Sequence, residues 1–524
     1  MRRLLLLIFL CAASVRADDF RAFWVEAFRT PLATKDDVDR VLDAAGRANA
    51  NALFVQIRRR GDSWYIDSAE PLSAERAVGA PDADGRWTFD PLRYLIDAAH
   101  ARRIQIHAFV IVGSIHNGDP TEAGGLPSDP NHIFLQHVWD AAANKPYGGA
   151  RQWATRALPH NRGGVTFDGY RFANEWYLDL GHPEAASYTV EVLLHLVRAY
   201  DIDGLHLDRI RYPDAPVDKD GGSNVGYNET SVARFNARYG RSGIPRTNDP
   251  LWSAWRREQV TQFVRRLYLS ATAIKPSLNI SAALICYGAG PGKRFESSEA
   301  YWHVFQDWAA WAKEGIVDTL APMMYKREHL PAQRAQFDSW LTFLMRTARA
   351  SGRMAVPGIG AFMNSTDGAL RQARRATVAG ADGVIFFAVG SIPKPPGDDF
   401  LAALRRGVFA SSAAAPRKTP PKTGSVMGYT EAGDGAVVTI ESVASHAART
   451  TTTDGSGFFG ILGLEPGEYR VSVAGASSPV FPIVAGAVSR VDMGSGLQFP
   501  VSYFERLRAA QNKKLETEDL TPIH

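Results

Sequence analysis

Eight short apolar segments alternate with helical patterns between residues 20 and 390, and this alternation limits the fold more than any other feature. Strand and helix in regular alternation indicate a parallel α/β architecture. A count of eight strands favours a (β/α)8 TIM barrel over a doubly wound sheet. The predicted strands are Arg21–Ala27, Ala52–Ile57, Ile104–Ile111, Gly204–Asp208, Ile280–Cys286, Thr319–Met324, Ala355–Ile359 and Gly383–Ala388.

Helical patterns fill the intervals between these strands. No G-x-G-x-x-G sequence follows the first strand, which weakens a dinucleotide-binding alternative. The segment 113–181 is unusually long for one strand-to-helix connection, so we expect an elaborated loop over the active face. The predicted helices are Lys35–Ala48, Pro91–Ala101, Pro183–Tyr200, Trp252–Ile274 and Phe305–Lys313.

Composition shifts divide the chain further. Residues 411–425 are small and Pro-rich, which is typical of a linker. Residues 426–496 contain short β-branched runs between Gly and Pro turns, so we expect a small all-β sandwich after the barrel of residues 18–410. Residues 497–524 are mostly polar and are predicted to form a tail that is either disordered or a frayed helix.

The first 17 residues have the pattern of a secretory signal peptide: basic residues, a short apolar stretch, and Val15-Arg16-Ala17 before the predicted cut. The protein is therefore expected to be secreted or periplasmic. The apolar stretch is too short to span a bilayer, which needs about 20 residues, and no second span is predicted. A net charge of +4 gives no basic footprint for nucleic acid. The two cysteines, Cys11 and Cys286, exclude a disulfide scaffold.

The passage Asp203-Gly204-Leu205-His206-Leu207-Asp208-Arg209-Ile210-Arg211-Tyr212-Pro213 is the most informative for chemistry. Side chains alternate along a strand, so His206 and Asp208 share one face. Pro213 ends the strand, which places Asp208 near its carboxyl end, where TIM barrels have their active sites. A carboxylate there can act as nucleophile, acid, base or metal ligand. The alternative is that Asp208 only forms an ion pair with Arg211 or Arg58.

Other predicted strand ends supply carboxylates, aromatic rings and arginines. Gathered at one mouth, such side chains would suit a sugar, because rings stack on its apolar face and polar groups bind its hydroxyls. The substrate-binding candidates are Trp24, Glu26, Arg58, Asp62, His107, His206, Arg211, Tyr212, Tyr287 and Tyr325.

Two other chemistries are weighed against a sugar site. His107, His206 and Asp208 could form a two-histidine, one-carboxylate metal site. The first strand lacks a His-x-His pair, however, so neither a metal nor a cofactor is expected. A serine hydrolase is weaker still, because no G-x-S-x-G elbow follows a strand.

The sequence resembles the glycosyl-hydrolase-like family 10. The resemblance rests on Asp203–Asp208 with Ile210–Pro213, and on matches in order across about residues 20 to 390. It implies a TIM-barrel hydrolase of exported bacterial glycans, with peptidoglycan strands that lack stem peptides as one substrate. The supporting passages are Arg21–Val25, Val55–Arg58 with Gly61-Asp62, Leu178–Glu184, Gln306–Trp308 and Ala321–Tyr325.

The resemblance makes Asp208 the aspartate of strand four, and two departures stand beside it. Arg209 replaces an aromatic residue or Asp, and Met324 replaces a frequent Asn, so substrate choice or activity could differ. The C-terminal region resembles carboxypeptidase-regulatory-like sandwiches, in Thr453–Phe459 and Leu464–Tyr469. Such modules are usually non-catalytic.

These observations predict an exported glycoside hydrolase of a bacterial polysaccharide or oligosaccharide, with two carboxyl groups flanking the scissile bond. Asp208 is the predicted nucleophile or stabilising carboxylate. Glu328, beyond strand six, is the predicted acid, because related barrels often draw their acid from that strand, with Glu26 and Asp62 as substitutes. The alternatives are a non-catalytic glycan-binding protein on a hydrolase-like barrel and a metal-dependent deacetylase.

Overall fold

Eight parallel strands form a closed barrel in the computed structural model, which describes residues 18–30, 32–73, 89–162, 165–167, 169–391 and 399–493. The predicted signal peptide, residues 1–17, and the predicted tail, residues 497–524, lie outside the described residues. The barrel strands are β1 (Phe20–Val25), β2 (Ala52–Arg58), β3 (Gln105–Ile111), β4 (Gly204–Asp208), β5 (Asn279–Leu284), β6 (Thr319–Pro322), β7 (Met354–Ala355 and Gly358–Gly360) and β8 (Gly383–Phe387).

The ring closes at β7. Its first piece pairs with β6 and its second piece with β8, while β1 pairs with both β8 and β2. Pro357 separates the two pieces because proline has no N–H to donate to a neighbouring strand. The TIM-barrel prediction is confirmed, and each predicted strand lies within two residues of an observed one.

A helix lies between each barrel strand and the next, and a last one follows β8. Four of the helices begin with proline at their first turn, where its missing N–H is not needed. Asp307 caps the helix Trp308–Glu314 by accepting a hydrogen bond from Ala310 N, so this helix starts three residues later than predicted. The helices are α1 (Lys35–Ala48), α2 (Pro91–Ala101), α3 (Pro183–Ala199), α4 (Pro250–Ile274), α5 (Trp308–Glu314), α6 (Pro331–Ser351), α7 (Thr366–Val378) and α8 (Phe400–Arg406).

The barrel interior is packed with aromatic side chains. Trp24 on β1 reaches across it, and Trp24 Nε1 donates to His206 Nε2 on β4 at 3.0 Å. A Cβ atom at Gly358 would lie 2.6 Å from the Trp24 ring, so the absence of a side chain on β7 makes room for the indole. Phe54 and Phe109 pack edge-on against His206. The side chains at the alternate strand positions point outward and pack against the helices.

The long connection after β3 folds as a small unit over the carboxyl end of the barrel. Three short strands, Ser114–Asn117, Arg171–Phe172 and Glu175–Tyr177, form an antiparallel sheet. Its own apolar cluster contains Phe134, Trp153 and Trp176. Among the described residues, three further helices lie outside the barrel repeat: Ile133–His137 in this connection, Glu229–Tyr239 after β4 and Glu299–Trp302 after β5.

The C-terminal region is all β. Its strands form two sheets. The first has the order Phe458–Leu464, Gly424–Tyr429, Val488–Asp492. The second has the order Ala448–Thr452, Val437–Ser442, Gly467–Val473, Ala476–Ser477, and Phe481–Ile483 also pairs with Gly467–Val473. Val426, Val438 and Phe459 belong to the apolar core between the sheets. The strands are β9 (Gly424–Tyr429), β10 (Val437–Ser442), β11 (Ala448–Thr452), β12 (Phe458–Leu464), β13 (Gly467–Val473), β14 (Ala476–Ser477), β15 (Phe481–Ile483) and β16 (Val488–Asp492).

This region packs against the barrel. Leu269 of α4 contacts Met427 and Phe458, and Arg266 of the same helix donates to Ser456 Oγ at 2.9 Å. Residues 411–418, which we call the strap, run along the amino-terminal end of the barrel, where Ala414 pairs with Asp18. Within the described residues, no helix combines the length and apolarity needed to cross a membrane.

Candidate functional site

Asp208 lies at the carboxyl end of β4 and is partly exposed. The chain turns sharply after it, because Arg209 adopts a left-handed conformation with φ 50°. This turn brings the Arg209 N–H to Asp208 Oδ1 at 2.7 Å. Arg58 and Arg211 pair instead with Glu70 and Asp214, and in the described part of the chain neither forms an ion pair with Asp208. The ion-pair alternative for Asp208 therefore finds no support.

Glu26 lies across from Asp208 at the opening on the carboxyl-terminal end of the barrel, which we call the mouth. The Trp24–His206 hydrogen bond joins β1 and β4 through the barrel interior. Glu26 follows Trp24 by two residues, and Asp208 follows His206 by two residues. Both carboxylate side chains therefore point into the barrel, one layer nearer the mouth. The two carboxyl groups therefore face the same opening.

Three buried polar atoms near this opening lack hydrogen-bond partners within the described residues: Glu26 Oε2, Gln56 Oε1 and Tyr325 Oη. Arg29 Nε lies 3.9 Å from Glu26 Oε2, and the charge of Arg59 also acts on this carboxylate. Burial raises the pKa of Tyr325 well above its ordinary value, and the charges of Asp208 and Glu26 raise it further. Both carboxylates are thus close enough to influence one phenol. A buried polar atom without a partner beside an opening offers a ligand a place to bind.

Burial raises the pKa of both carboxyl groups. For Asp208, the Arg209 N–H and the charge of Arg211 oppose the effect of burial without cancelling it. For Glu26, the opposing charges are Arg29 and Arg59. A carboxyl group whose pKa is raised by burial can hold a proton for a leaving group, as a general acid must.

Arg211 and Tyr287 lie on one side of the edge of the mouth, which we call the rim. Tyr287 donates to Asp214 Oδ2 at 3.1 Å, and Arg211 Nη2 lies 3.6 Å from the same carboxylate. The charge of Asp208 acts on both Arg211 and Tyr177. The rim therefore supplies hydrogen-bond donors close to Asp208.

The two departures from the family pattern do not alter the mouth as the sequence suggested. The Arg209 guanidinium points toward the long connection, where it binds the Glu175 carboxylate and the Tyr177 hydroxyl. Its charge is thus matched by Glu175. Met324 is fully buried in the outer core, because it has the opposite parity to Tyr325 and faces the helices.

Sequence reasoning missed Phe362. This residue follows β7, is 47% exposed, and its ring centroid lies 5.9 Å from those of both Tyr325 and Phe387. An exposed aromatic ring beside a polar mouth is suited to stack on the apolar face of a sugar. The available signal was its position directly after a predicted strand, in Gly358-Ile359-Gly360-Ala361-Phe362.

Three predicted substrate-binding residues are not at the mouth. Arg58 is fully buried and donates two hydrogen bonds to Glu70, at 2.6 and 2.7 Å. Tyr212 is 2% exposed, and its hydroxyl donates to Asp179. His107 stacks on Phe54 with ring centroids 4.3 Å apart, near the amino-terminal end of the barrel. All three are held by internal partners, so we no longer place them in the binding site.

Of the other candidates, Trp24 and His206 lie directly beneath the mouth as buried supports, with His206 Nδ1 also 2.9 Å from Ser281 Oγ. Asp62 is partly exposed in the loop after β2, where the Arg60 N–H donates to it at 3.4 Å. It belongs to a neighbouring loop and forms no hydrogen bond with Asp208 within the described residues.

Glu328, the predicted acid, is held by the helix shell. Arg375 of α7 donates to both of its carboxylate oxygens, at 2.8 and 2.6 Å, and only 3% of Glu328 is exposed. Burial alone would raise its pKa, but the hydrogen bonds and charge of Arg375 outweigh burial and lower it. A general acid needs the opposite shift. The structure therefore argues against Glu328 and favours its substitute, Glu26.

The geometry also separates the three residues of the metal alternative. His107 pairs in register with Gly204, four residues before Asp208 along β4, which is about 13 Å at the usual rise per residue. Burial lowers the pKa of His107 to about 4 and that of His206 to about 3, so both rings are neutral. Within the described residues, no group of three His, Cys, Asp or Glu could hold a metal ion.

A closed eight-stranded barrel with paired carboxyl groups at its carboxyl end is the arrangement typical of glycoside hydrolases. The chain belongs to the glycosyl hydrolase-like 10 family, which matches residues 19–343. It is 24% identical over 297 residues to the glycosyl hydrolase YngK of Bacillus subtilis, covering 56% of this chain and 49% of that protein. It is 24% identical over 298 residues to the glycosyl hydrolase DigH of Escherichia coli, covering 54% and 56%. The chain thus spans about half the length of these curated relatives.

Two solved structures are similar to this one. The glycoside hydrolase domain of PgaB (BpsB) from Bordetella bronchiseptica is 16% identical, with a TM-score of 0.48, covering 74% of this chain and 95% of that one. A double mutant of the Cellulomonas fimi endo-β-1,4-mannanase is 12% identical, with a TM-score of 0.38, covering 90% and 94%.

Proposed function

We propose that this protein is an exported glycoside hydrolase that cleaves glycosidic bonds in a bacterial polysaccharide. The observation that carries the proposal is the pairing of Asp208 and Glu26 at one mouth, beside buried polar atoms that lack partners. Membership of a glycosyl hydrolase-like family supports a carbohydrate substrate. Export rests on the signal pattern of residues 1–17, and the C-terminal sandwich is proposed to be non-catalytic.

Asp208 and Glu26 are assigned different roles by their surroundings. Asp208 accepts the Arg209 N–H and lies near Arg211, and both favour its ionised form. It is proposed to stabilise or attack the anomeric carbon, or to activate water. Glu26 has an oxygen without a hydrogen-bond partner within the described residues, and it is proposed to protonate the leaving oxygen. A carboxyl separation of about 5 Å would give retention, and one of about 6.5–9.5 Å inversion.

The mouth accounts for sugar binding through the same elements. Phe362 offers an exposed ring next to Tyr325, and Arg211 and Tyr287 supply polar groups on the side of Asp208. The substrate proposed first is the peptidoglycan glycan strand without stem peptides, which the family resemblance suggests.

The test is the Asp208→Asn variant incubated with such strands and with other bacterial polysaccharides. We expect wild-type protein to release new reducing ends, and the variant to lose at least about 10²-fold of this activity while it still binds glycan. Hydrolysis by the variant at the wild-type rate would contradict the proposal. Glycan binding by the wild type without new ends would favour the glycan-binding alternative, and loss of activity on chelation would favour the deacetylase.

A further inference from the structure

A second cleft lies at the amino-terminal end of the barrel, opposite the mouth. Its volume is ≈ 900 Å³, within the range of about 300–1,000 Å³ usual for small-molecule sites. The segments that precede β2, β3, β4 and β5 form one side of it, and residues 412–418 of the strap form the other. We call it the floor cleft. Because active sites of TIM barrels lie at the other end, the proposed hydrolysis does not account for it.

The floor cleft has an excess of positive charge. Five cationic side chains line it against two carboxylates, Asp201 and Asp203. Lys275 is paired with Asp201, and Lys418 lies 3.0 Å from Asp318. Arg103 and Arg417 form no ion pair within the described residues, although both are exposed and line the cleft. Two unmatched guanidinium groups in one cleft favour an anionic ligand, because each can bind a carboxylate or phosphate through two N–H groups.

A buried amide points to the same place. Asn279, the first residue of β5, lines the floor cleft and is only 3% exposed. Neither its amide nitrogen nor its amide oxygen has a hydrogen-bond partner in the described part of the chain. Asn279 and Ser281 are two residues apart on β5, so their side chains point to the same side of the strand. Ser281 contacts the interior residue His206, and the Asn279 side chain therefore points into the bottom of the barrel. An unpartnered amide offers one donor group and one acceptor to hydroxyls.

We infer that the floor cleft binds a small anionic sugar, such as a uronic acid or a sugar phosphate. Arg103 and Arg417 would hold the anionic group from opposite walls. Asn279 would receive the ring hydroxyls after a small side-chain rotation, together with Gln105, whose amide already donates to the strap carbonyls of Ala415 and Pro416. The site depends on the strap, which supplies one guanidinium and one wall.

Isothermal titration calorimetry on the whole protein tests this inference. The probes are D-glucuronate and glucose 6-phosphate, with D-glucose as the neutral comparison, all at one ionic strength. We expect saturable binding of at least one anionic sugar, with Kd of about 0.1–1 mM, and at least tenfold weaker binding of glucose. The stronger of the two anionic probes identifies a carboxylate or a phosphate as the preferred group.

Variants locate the binding. Arg103→Glu with Arg417→Glu should weaken binding at least tenfold, and Asn279→Ala should weaken it while the far-ultraviolet circular dichroism stays unchanged. Arg470→Glu, an exposed charge change on β13, is the matched control and should bind as wild type. Asp208→Asn should also bind normally, which separates this site from the mouth. Equal binding by the double variant, equal affinity for glucose, or no binding of either anionic sugar would overturn the inference.

Discussion

The two ends of the barrel use similar residues in opposite ways. At the mouth, Asp208 is partly exposed and Glu26 is 4% exposed, and burial raises the pKa of both. At the floor, His107 is enclosed between Phe54 and Gln105, and burial lowers its pKa to about 4. Asp208 is partly exposed, whereas the His107 ring is fully buried and packs edge-on against Phe20. Burial therefore favours the protonated carboxylic acid at the mouth and the neutral imidazole at the floor, because in each case it disfavours the charged form.

The sharpest way to break this comparison is to neutralise Glu26. Glu26→Gln keeps the shape of the side chain but removes the proton that the leaving group needs. We expect kcat/KM on the glycan substrate to fall by about 10²–10⁴-fold. Reducing-end assays under substrate-limited conditions measure this loss.

Glu328→Gln is the matched control, because Glu328 is the other buried glutamate that the sequence nominated. Its loss weakens the bonds from Arg375, so we expect about 1–3 kcal/mol lower stability with activity within a few-fold of wild type. The reverse pattern, with Glu328→Gln inactive and Glu26→Gln active, would return the acid role to Glu328.

The buried His107 at the floor should make the folded protein less stable in acid. The pKa of His107 falls from 6.5 unfolded to about 4 folded, so the unfolded chain binds more protons between these values. Stability from this group is therefore present above pH 6.5 and is lost as the pH falls toward 4. His107→Phe should reduce the loss by up to about 3 kcal/mol, measured by urea unfolding at both ends of this range. An unchanged slope for His107→Phe would show that His107 is not buried as described.

At the mouth, the contribution of Asp208 to stability should change with pH in the opposite direction. The folded pKa of Asp208 lies above its unfolded value of 3.8, so its ionised form is less stable in the folded protein at neutral pH. Asp208→Asn should therefore raise the free energy of unfolding at pH 7 by about 0.5–2 kcal/mol, and the gain should shrink as the pH falls through the folded pKa. Asp36→Asn, on the exposed first turn of α1, should give no such gain. A loss of stability in Asp208→Asn would mean that Asp208 has a structural role.

The smallest effect expected is on substrate affinity at the rim. Phe362→Ala removes the exposed ring beside Tyr325, and we expect KM to rise about 2–10-fold with kcat nearly unchanged, as for a lost stacking contact. Ile244→Ala, another exposed apolar truncation, should change neither constant. A fall in kcat for Phe362→Ala with KM unchanged would contradict a pure binding role.

The fold was accessible from the sequence because its signals are local. Runs such as Phe54-Val55-Gln56-Ile57 and the proline at the start of α3 specify strand and helix through neighbouring residues. The site was only partly accessible. Alternation along β4 placed His206 and Asp208 on one face, but it could not show that β2 has an irregular register between Gln56 and Arg58, where Arg58 turns to Glu70.

By itself, the sequence determined the eight-stranded barrel, the all-β C-terminal region and the position of Asp208 at a strand end, since each depends on periodicity and on chain order. Only the tertiary structure decided which carboxylate faces Asp208, because Glu26 and Glu328 look alike in sequence and differ in whether Arg375 reaches them. The strap and the floor cleft likewise arise from segments about 300 residues apart in the chain, such as Gln105 and Ala415. Long-range contacts of this kind leave no periodic trace, and they set the charge and burial that govern reactivity.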